Sequence, residues 1–511
     1  MVKLLNIRLN LTANTQISGQ SLRAANNNAS RQSRLPKTRL AVLALFTSAL
    51  LGCAAVGPDY QAPTSLNTTM AMPAIAETAG NMTLPDNATL WWQKFQDAEL
   101  NRLIQTALEQ NQQLAKAQAN VARAYAVFAD SDDNLWPKVA LDSSYQTSRT
   151  PAEVAGAVNS VDGNALYNRQ SQLRGTLSWD LDLAGKLKRA SEAANARAES
   201  AVFAWQDAQI GIIAQVAQSY GDYRGAELRL AVAQQNLANM QQTEQLILAR
   251  RDAGMASDLE LARIKAQLYQ LEASLPQFET NKSRAFTTLA ALLGFSPEQL
   301  QLQQTEAGKQ ALPELKQPQA IAITKDLLRH RPDIAQAERQ LAASTADIGV
   351  ATADLYPNVS VSGFLGFISA PGLTLGSDQR AWALAPSLSW QGADWTSVQA
   401  RIKGAKASEQ MALADFRQQV LDALSNMQYS LESYNLSRRQ QLIQQQQVAA
   451  TSTAVALSKA RFEAGNADFL ELLDAERELL AARDEQARLS QQNFQLLVLL
   501  YRNFAGGLNL S

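Results

Sequence analysis

Few side chains in this 511-residue chain are of types that do covalent or metal chemistry. There is one Cys, Cys53, and one His, His330. Thiolate–imidazole catalysis and Cys/His metal sites each need several such groups at set spacings, so both classes lose their raw material. No glycine-rich phosphate loop and no nucleophile elbow is present. Carboxylates remain. Glu471 and Asp474 are three residues apart, hence on one face of a helix, and Glu260 stands in a matching stretch upstream. At such positions a carboxylate caps a helix or presents negative charge to cations. The chemistry on offer is electrostatic. It calls for no cofactor, and an enzyme is the weakest reading of the chain.

The elements that position these carboxylates form a duplication. Ala460-Arg-Phe-Glu-Ala-Gly465-Asn-Ala-Asp-Phe-Leu-Glu-Leu472 matches Ala249-Arg-Arg-Asp-Ala-Gly254-Met-Ala-Ser-Asp-Leu-Glu-Leu261 at eight of thirteen positions, offset by 211 residues. Leu177-Ser-Trp179 and Leu388-Ser-Trp390 share that offset, so Trp and Gly are 75 residues apart in both halves. Leu135-Trp136-Pro137 and Leu355-Tyr356-Pro357 are related by 220. One unit is written twice. Between Trp and Gly, residues 187–253 and 396–464 lack Pro and predict helices of roughly 65 residues, rods of about 100 Å. Gly254 and Gly465 fit the left-handed position that ends such helices. Ser257-Asp-Leu-Glu260 and Asp468-Phe-Leu-Glu471 then restart the chain as capping-box-like sequences. Leu261, Ile264, Leu268, Leu271 and Leu275 follow the spacing of a coiled-coil seam, and Leu472, Ala475, Leu479 and Ala482 repeat it.

Ahead of each rod the period changes from helix to strand. Asp97 to Leu135 has helical spacing without Pro or Gly and predicts one helix ended by Pro137; its counterpart, with Pro332 in the first turn, runs to Leu355. Then Val139, Leu141, Ser143 and Tyr145 alternate with polar or small residues, as do Leu173, Gly175, Leu177, Trp179 and Leu181. Val359, Val361, Gly363, Leu365 and Phe367, and Trp382, Leu384, Leu388 and Trp390, repeat the pattern. These four strands suit either two hairpins on a soluble core or part of a membrane barrel with Val139, Leu141, Leu177, Trp179, Val361, Leu365, Leu384 and Leu388 turned to lipid. Four strands cannot close a barrel, and open edges are not viable in lipid, so the second alternative needs more copies of the chain.

The first 52 residues hold seven basic side chains and no acidic one, leaving an acidic remainder without a basic run, which argues against nucleic acid. The apolar run Leu40–Leu51 is too short to span a bilayer and follows Arg34, Lys37 and Arg39, as in a secretory signal. It ends Leu50-Leu-Gly-Cys53, which resembles the lipobox of bacterial lipoproteins, in which the Cys becomes the acylated first residue. Ala54 suits outer-membrane sorting. Gly57-Pro-Asp-Tyr60, Pro63, Pro73 and Pro85 mark an irregular segment, and Trp91, Trp92 and Phe95 offer anchors before the first helix.

Taken in order, the lipobox, Gly57-Pro-Asp-Tyr60, Trp91-Trp92, Arg331-Pro-Asp-Ile334 and the two Ala-Gly tips resemble the outer membrane efflux protein (TolC-like) family, and within it the NodT-type lipoproteins of resistance-nodulation-division pumps. The resemblance covers essentially all of 53–511. It implies a mainly α fold with a β-barrel part: a homotrimer whose long helices form an α-barrel in the periplasm and whose strands, four per chain, make a 12-stranded barrel in the outer membrane. The implied divisions are a signal peptide with extension (1–52), a lipid-anchored segment (53–96), repeat 1 (97–293), an equatorial connector (294–325), repeat 2 (326–505) and a tail (506–511). Implied partners are outer-membrane lipid, a periplasmic adaptor docking on the Gly254 and Gly465 tips, and an inner-membrane pump. Cys53 is the implied lipidation site, and Glu260, Glu471 and Asp474 the implied acidic lining of the periplasmic aperture. Family members often place a basic residue between tip glycine and acid; Ala467 stands there here. The implied function is a passive exit duct for drugs or other small molecules. A duct for protein secretion or metal efflux, and a structural coiled-coil lipoprotein, are the alternatives; the paired alternating strands speak against the last.

Overall fold

The computed structural model describes residues 55–63, 88–150, 166–302, 312–313, 328, 331–369 and 375–504. The chain divides into two compact units, Met1–Cys53 and Ala54–Ser511. The whole first unit, with Cys53, lies outside the described residues, as do His330, Pro73, Pro85, residues 505–511 and most of the 294–325 connector.

Repeat 1 comprises α1 (Ala98–Gln110), α2 (Gln112–Asp133), β1 (Lys138–Thr150), β2 (Leu166–Leu181), α3 (Lys186–Asp252) and α4 (Asp258–Leu292). Repeat 2 comprises α5 (Pro332–Ala353), β3 (Asn358–Ser369), β4 (Arg380–Ser389), α6 (Trp395–Glu463) and α7 (Phe469–Phe504). The rods α3 and α6 run 67 and 69 residues. Helices of this length are held by lateral packing rather than by propensity. α3 packs against α2, α4, α5 and α7, and α6 against α5 and α7. Among the described residues no helix is long and apolar enough to cross a membrane.

One apolar cluster joins the helices where α1 docks. Trp91, Trp92 and Phe95 are buried there with Leu100, Leu103 and Ile104 of α1, Ile213, Val216 and Tyr220 of α3, Phe416 and Met427 of α6, and Phe494, Val498 and Tyr501 of α7. The Trp91 ring stacks on Tyr501 with centroids 5.2 Å apart. Each such side chain contributes about 1.5–3 kcal/mol by leaving water.

The single helix expected over Asp97–Leu135 is two. Asn111 has φ −65 and ψ 126; its Oδ1 accepts from the Gln113 and Leu114 amides, and its Nδ2 donates to the Leu292 carbonyl at 2.7 Å. The side chain thus ends α1, caps α2 and ties both to α4. Asn competes with the helical backbone in this way, and the periodicity of the apolar residues does not register it.

The four strands form one antiparallel sheet in the order β1-β2-β3-β4, so the repeats join through β2 and β3. Its register aligns Val139, Leu177, Gly363 and Leu384 in one row and Leu141, Gly175, Leu365 and Trp382 in the next. All eight residues named as the apolar set therefore share one face, while Asp142, Arg174, Thr176, Ser178, Ser360 and Ser387 share the other. Val139 and Leu141 are 76% and 77% exposed, and Leu384 and Leu388 64% and 67%. A soluble core would have covered this face, so the soluble-hairpin alternative fails. At the helix-proximal end of the sheet the repeats share one contact: Trp179 Nε1 donates to the Leu135 carbonyl and Trp390 Nε1 to the Leu355 carbonyl, both at 3.1 Å.

Candidate functional site

Two regions gather the polar chemistry: the helical tips and a strap where the helices meet the sheet. At the first tip Gly254 has φ 76; its amide donates to the Arg251 carbonyl and that of Met255 to Arg250. At the second, Gly465 has φ 72, with the same pair of bonds from Gly465 to Phe462 and from Asn466 to Arg461. Both are Schellman turns, in which positive φ strongly favours glycine. A Cβ at either glycine would meet nothing, so conformation rather than space selects the residue.

After the turns the symmetry ends. Ser257 and Glu260 form a complete capping box. Glu471 does not cap α7 in this way: its carboxylate pairs with Arg461 at 2.7 Å across the turn. Only the backbone of Asp468 engages Glu471 there, through its carbonyl, so the capping-box expectation holds at the first tip and fails in its side chains at the second. Asp474 is exposed and forms no ion pair among the described residues. The repeat-1 counterpart of Arg461 is Arg250. It donates to the Phe462 carbonyl at 2.8 Å and lies 4.3 Å over the Phe462 ring, binding one tip to the other. Met240, Ile247, Leu261 and Ile264 of the first hairpin are buried together with Phe462, Phe469, Leu472 and Leu473 of the second. Glu260, Glu471 and Asp474 are thereby carried at the same end of the molecule. Beside this cluster, Glu476 accepts from the Thr243 hydroxyl at 2.8 Å, and burial raises its pKa above the ordinary glutamate value.

The strap is Ala55–Tyr60. The Val56 amide donates to the Ala184 carbonyl at 3.1 Å. The buried Arg189 of α3 donates to the Val56 carbonyl at 3.1 Å, and forms ion pairs with Asp59 at 2.7 Å and Glu192 at 2.8 Å. Gly57 has φ 95 and crosses α5 at Gly349, where a Cβ on Gly57 would stand 2.5 Å from the Gly349 Cα. Tyr60 donates to Glu338 at 3.0 Å beneath the Arg339 guanidinium. The segment that begins two residues after Cys53 is thus fixed beside the sheet. In the Arg331-Pro-Asp motif, Arg331 forks onto Asp333 at 2.7 and 3.0 Å, and Gln419 of α6 donates to Asp333 at 2.9 Å. Burial works to raise the Asp333 pKa, but Arg331 and Gln419 hold it below the ordinary aspartate value.

Arg461, Arg250, Arg189 and Glu476 were not singled out from sequence. The first two had a signal, since they stand at the 211-residue offset inside the tip motifs; Arg189 and Glu476 had none, because their partners are remote in the chain. The basic residue missing at Ala467 is supplied from before the turn, by Arg461.

The profile described as "Outer membrane efflux protein" matches residues 103–295 and 323–505. The chain is 27% identical over 469 residues to Nodulation protein T of Rhizobium leguminosarum bv. trifolii, covering 91% of this chain and 97% of that protein. It is 30% identical to outer membrane protein OprJ of Pseudomonas aeruginosa, covering 92% and 96%. The solved outer-membrane channel OprN superposes with a TM-score of 0.78 at 36% identity, over 89% of this chain and 99% of that one. With the exposed apolar sheet face, the long rods and the twin tips, these matches lead to one conclusion: the chain belongs to the outer membrane efflux protein family.

Proposed function

We propose that this chain is the outer-membrane exit duct of a tripartite efflux pump, working as a homotrimer that passes small molecules from periplasm to exterior without reaction or cofactor. One observation carries the reading. The sheet shows an uncovered apolar face on one side and a polar face on the other, with β1 and β4 as its outer strands. A sheet in lipid must satisfy every edge, and three copies of four strands close as twelve. The rods, about 100 Å long by their rise per residue, reach from that barrel into the periplasm. There the Gly254 and Gly465 tips meet an adaptor protein, and Glu260, Glu471 and Asp474 supply negative charge to the aperture. Energy comes from an inner-membrane pump. Cys53 is the lipidated first residue of the mature chain; the Arg189 strap supports this by holding the following residues beside the barrel.

Light scattering of the detergent-extracted protein tests the assembly, with a mass of three chains expected and single-channel conductance in planar bilayers following from it. A stable monomer whose strands are open to protease in membranes would overturn the duct. Mass spectrometry of the mature protein tests the anchor: a triacylated Cys53 peptide is expected, and an unmodified thiol ends that part of the proposal.

A further inference from the structure

Along α3 the polar residues Asp222, Arg229, Asn236, Thr243 and Arg250 recur every seven positions, and all but Asn236 bond across to the second hairpin. Asp222 accepts from Gln491 and Gln495, and Arg229 forks onto Asp484 at 2.9 and 3.0 Å. Thr243 donates to Glu476, and Arg250 reaches the Phe462 carbonyl. An apolar line, Ala226, Ala233, Met240 and Ile247, runs between them with the same spacing. The contact between the hairpins is thus half polar, with one polar rung every two turns. The Asp222 and Arg229 rungs are matched. Asn236 Oδ1 is buried without a hydrogen-bond partner, but it belongs to a neutral amide. At the Thr243 rung the underserved group is a carboxylate: Glu476 Oε2 is buried without a hydrogen-bond partner, and its Oε1 has one donor. A carboxylate so poorly served is costly when charged and tolerable when neutral.

We propose that Glu476 is a proton-operated latch between the two hairpins: neutral, it lets α7 close on α3; ionised, it loosens that seam near the tips and draws water into it. The groups acting on its charge are the Thr243 hydroxyl from α3 and the Lys459 ammonium from α6, both favouring ionisation, and burial outweighs them. The neighbouring rungs, Arg229–Asp484 and Arg250–Phe462, are paired; farther along the seam burial also raises the Asp222 pKa, opposed by the amide donors Gln491 and Gln495. A carboxyl whose pKa is raised in the closed state stabilises closure at low pH and loses that contribution as pH rises from the ordinary glutamate value through the raised one. The seam therefore tightens on acidification and loosens on alkalisation. The latch concerns the chain's own hairpins and stands whether or not the tips pass cargo.

Hydrogen exchange of the full-length protein in detergent, read by mass spectrometry at pH 5 and pH 8, tests it. The isosteric Glu476→Gln protein at the same pH corrects for the intrinsic rate. In the wild type, amides around Asn236–Ile247 and Leu472–Arg483 lose protection with rising pH relative to Glu476→Gln, by up to about tenfold per pH unit within the titration window. Amides of the cluster around Trp91 do not. Thr243→Val removes the one donor to the carboxylate, so the loss grows larger and extends to higher pH. Equal protection in wild type and Glu476→Gln at both pH values overturns the latch. If Glu476→Gln fails to assemble, wild type against Thr243→Val decides, and identical pH dependence in that pair overturns it as well.

Discussion

Leu384→Arg separates a membrane barrel from every soluble use of the sheet. The apolar face consists of five successive rows, running from Leu181, Val359 and Leu388 beside the helices to Leu173, Phe367 and Arg380 at the far end. Rows two residues apart rise about 6.8 Å along a strand, so the five span about 27 Å, or some 19–22 Å once tilted by 35–45°. That is close to the apolar band of about 25 Å that an outer-membrane barrel requires. Leu384 lies in the third row, at mid-depth, and is 64% exposed in the single chain. Arginine at a mid-bilayer lipid-facing position costs about 2–4 kcal/mol, hence roughly three times that for a trimer. Ala383 is the next residue and lies on the polar face, across from Phe364; Ala383→Arg should cost about 1 kcal/mol or less because water receives the charge. Both variants are compared by the temperature at which the detergent-extracted trimer dissociates on a gel and by the amount recovered in outer membranes. Leu384→Arg should lose most of the trimer while Ala383→Arg resembles wild type. Equal damage from both, or none from either, refutes the assignment of the two faces.

Three further outcomes are expected. Trp179→Phe and Trp390→Phe each remove one indole bond to a helix-end carbonyl, so each should lower trimer stability by about 0.5–1.5 kcal/mol in thermal dissociation, by similar amounts and additively. Asp333→Asn leaves the largely buried Arg331 without its counter-charge and should cost about 3–5 kcal/mol; because the Asp333 pKa is depressed, the wild type loses this contribution as pH falls below about 3.9, so the stability gap between wild type and variant narrows there, as read by tryptophan fluorescence. At the second tip Glu471 is engaged by Arg461 and Asp474 is not, so Asp474→Asn should lower cation selectivity in planar bilayers while Arg461→Gln raises it; one charge at 4 Å in water contributes about 1 kcal/mol, roughly fivefold in local cation occupancy. If the Glu471→Gln, Asp474→Asn double variant folds and conducts like wild type, the acids are solvated charges and line no aperture.

The legible part of the molecule was what repeats with a short period. Alternation gave all four strands and, through the register, both faces of the sheet. The absence of Pro between Trp179 and Gly254 gave α3 to within two residues at each end, and the Ala-Gly motif gave both turns. What stayed hidden depends on contacts between distant segments. Asn111 breaks a helix because Leu292, 181 residues away, offers it a carbonyl. Arg189 is buried because the strap, 130 to 133 residues earlier, supplies carbonyls and a carboxylate. Glu471 looked like a cap by its spacing from Asp468; which acceptor wins there is settled by the reach of Arg461 across the turn, and a short motif does not contain that information.

The equal Trp-to-Gly interval in the two halves makes each rod a screw as well as a strut. Adding one residue to α3 would advance its tip by 1.5 Å and rotate it by 100°. Every side chain beyond the insertion would then leave its rung: Arg229 would turn from Asp484, Thr243 from Glu476 and Arg250 from Phe462. The pitch thus fixes both how far each tip reaches and which way it points, and the two tips meet because the two screws have the same phase. Nothing of the kind constrains the other end. Trp136 to Trp179 spans 43 residues whereas Tyr356 to Trp390 spans 34, and each indole still finds the equivalent carbonyl of its own repeat, Leu135 or Leu355. Length is therefore free to vary in the chain between paired strands and quantised in the rods, so an added peptide belongs between β1 and β2, and a lengthened rod is tolerated only when α3, α4, α6 and α7 all grow by whole heptads together.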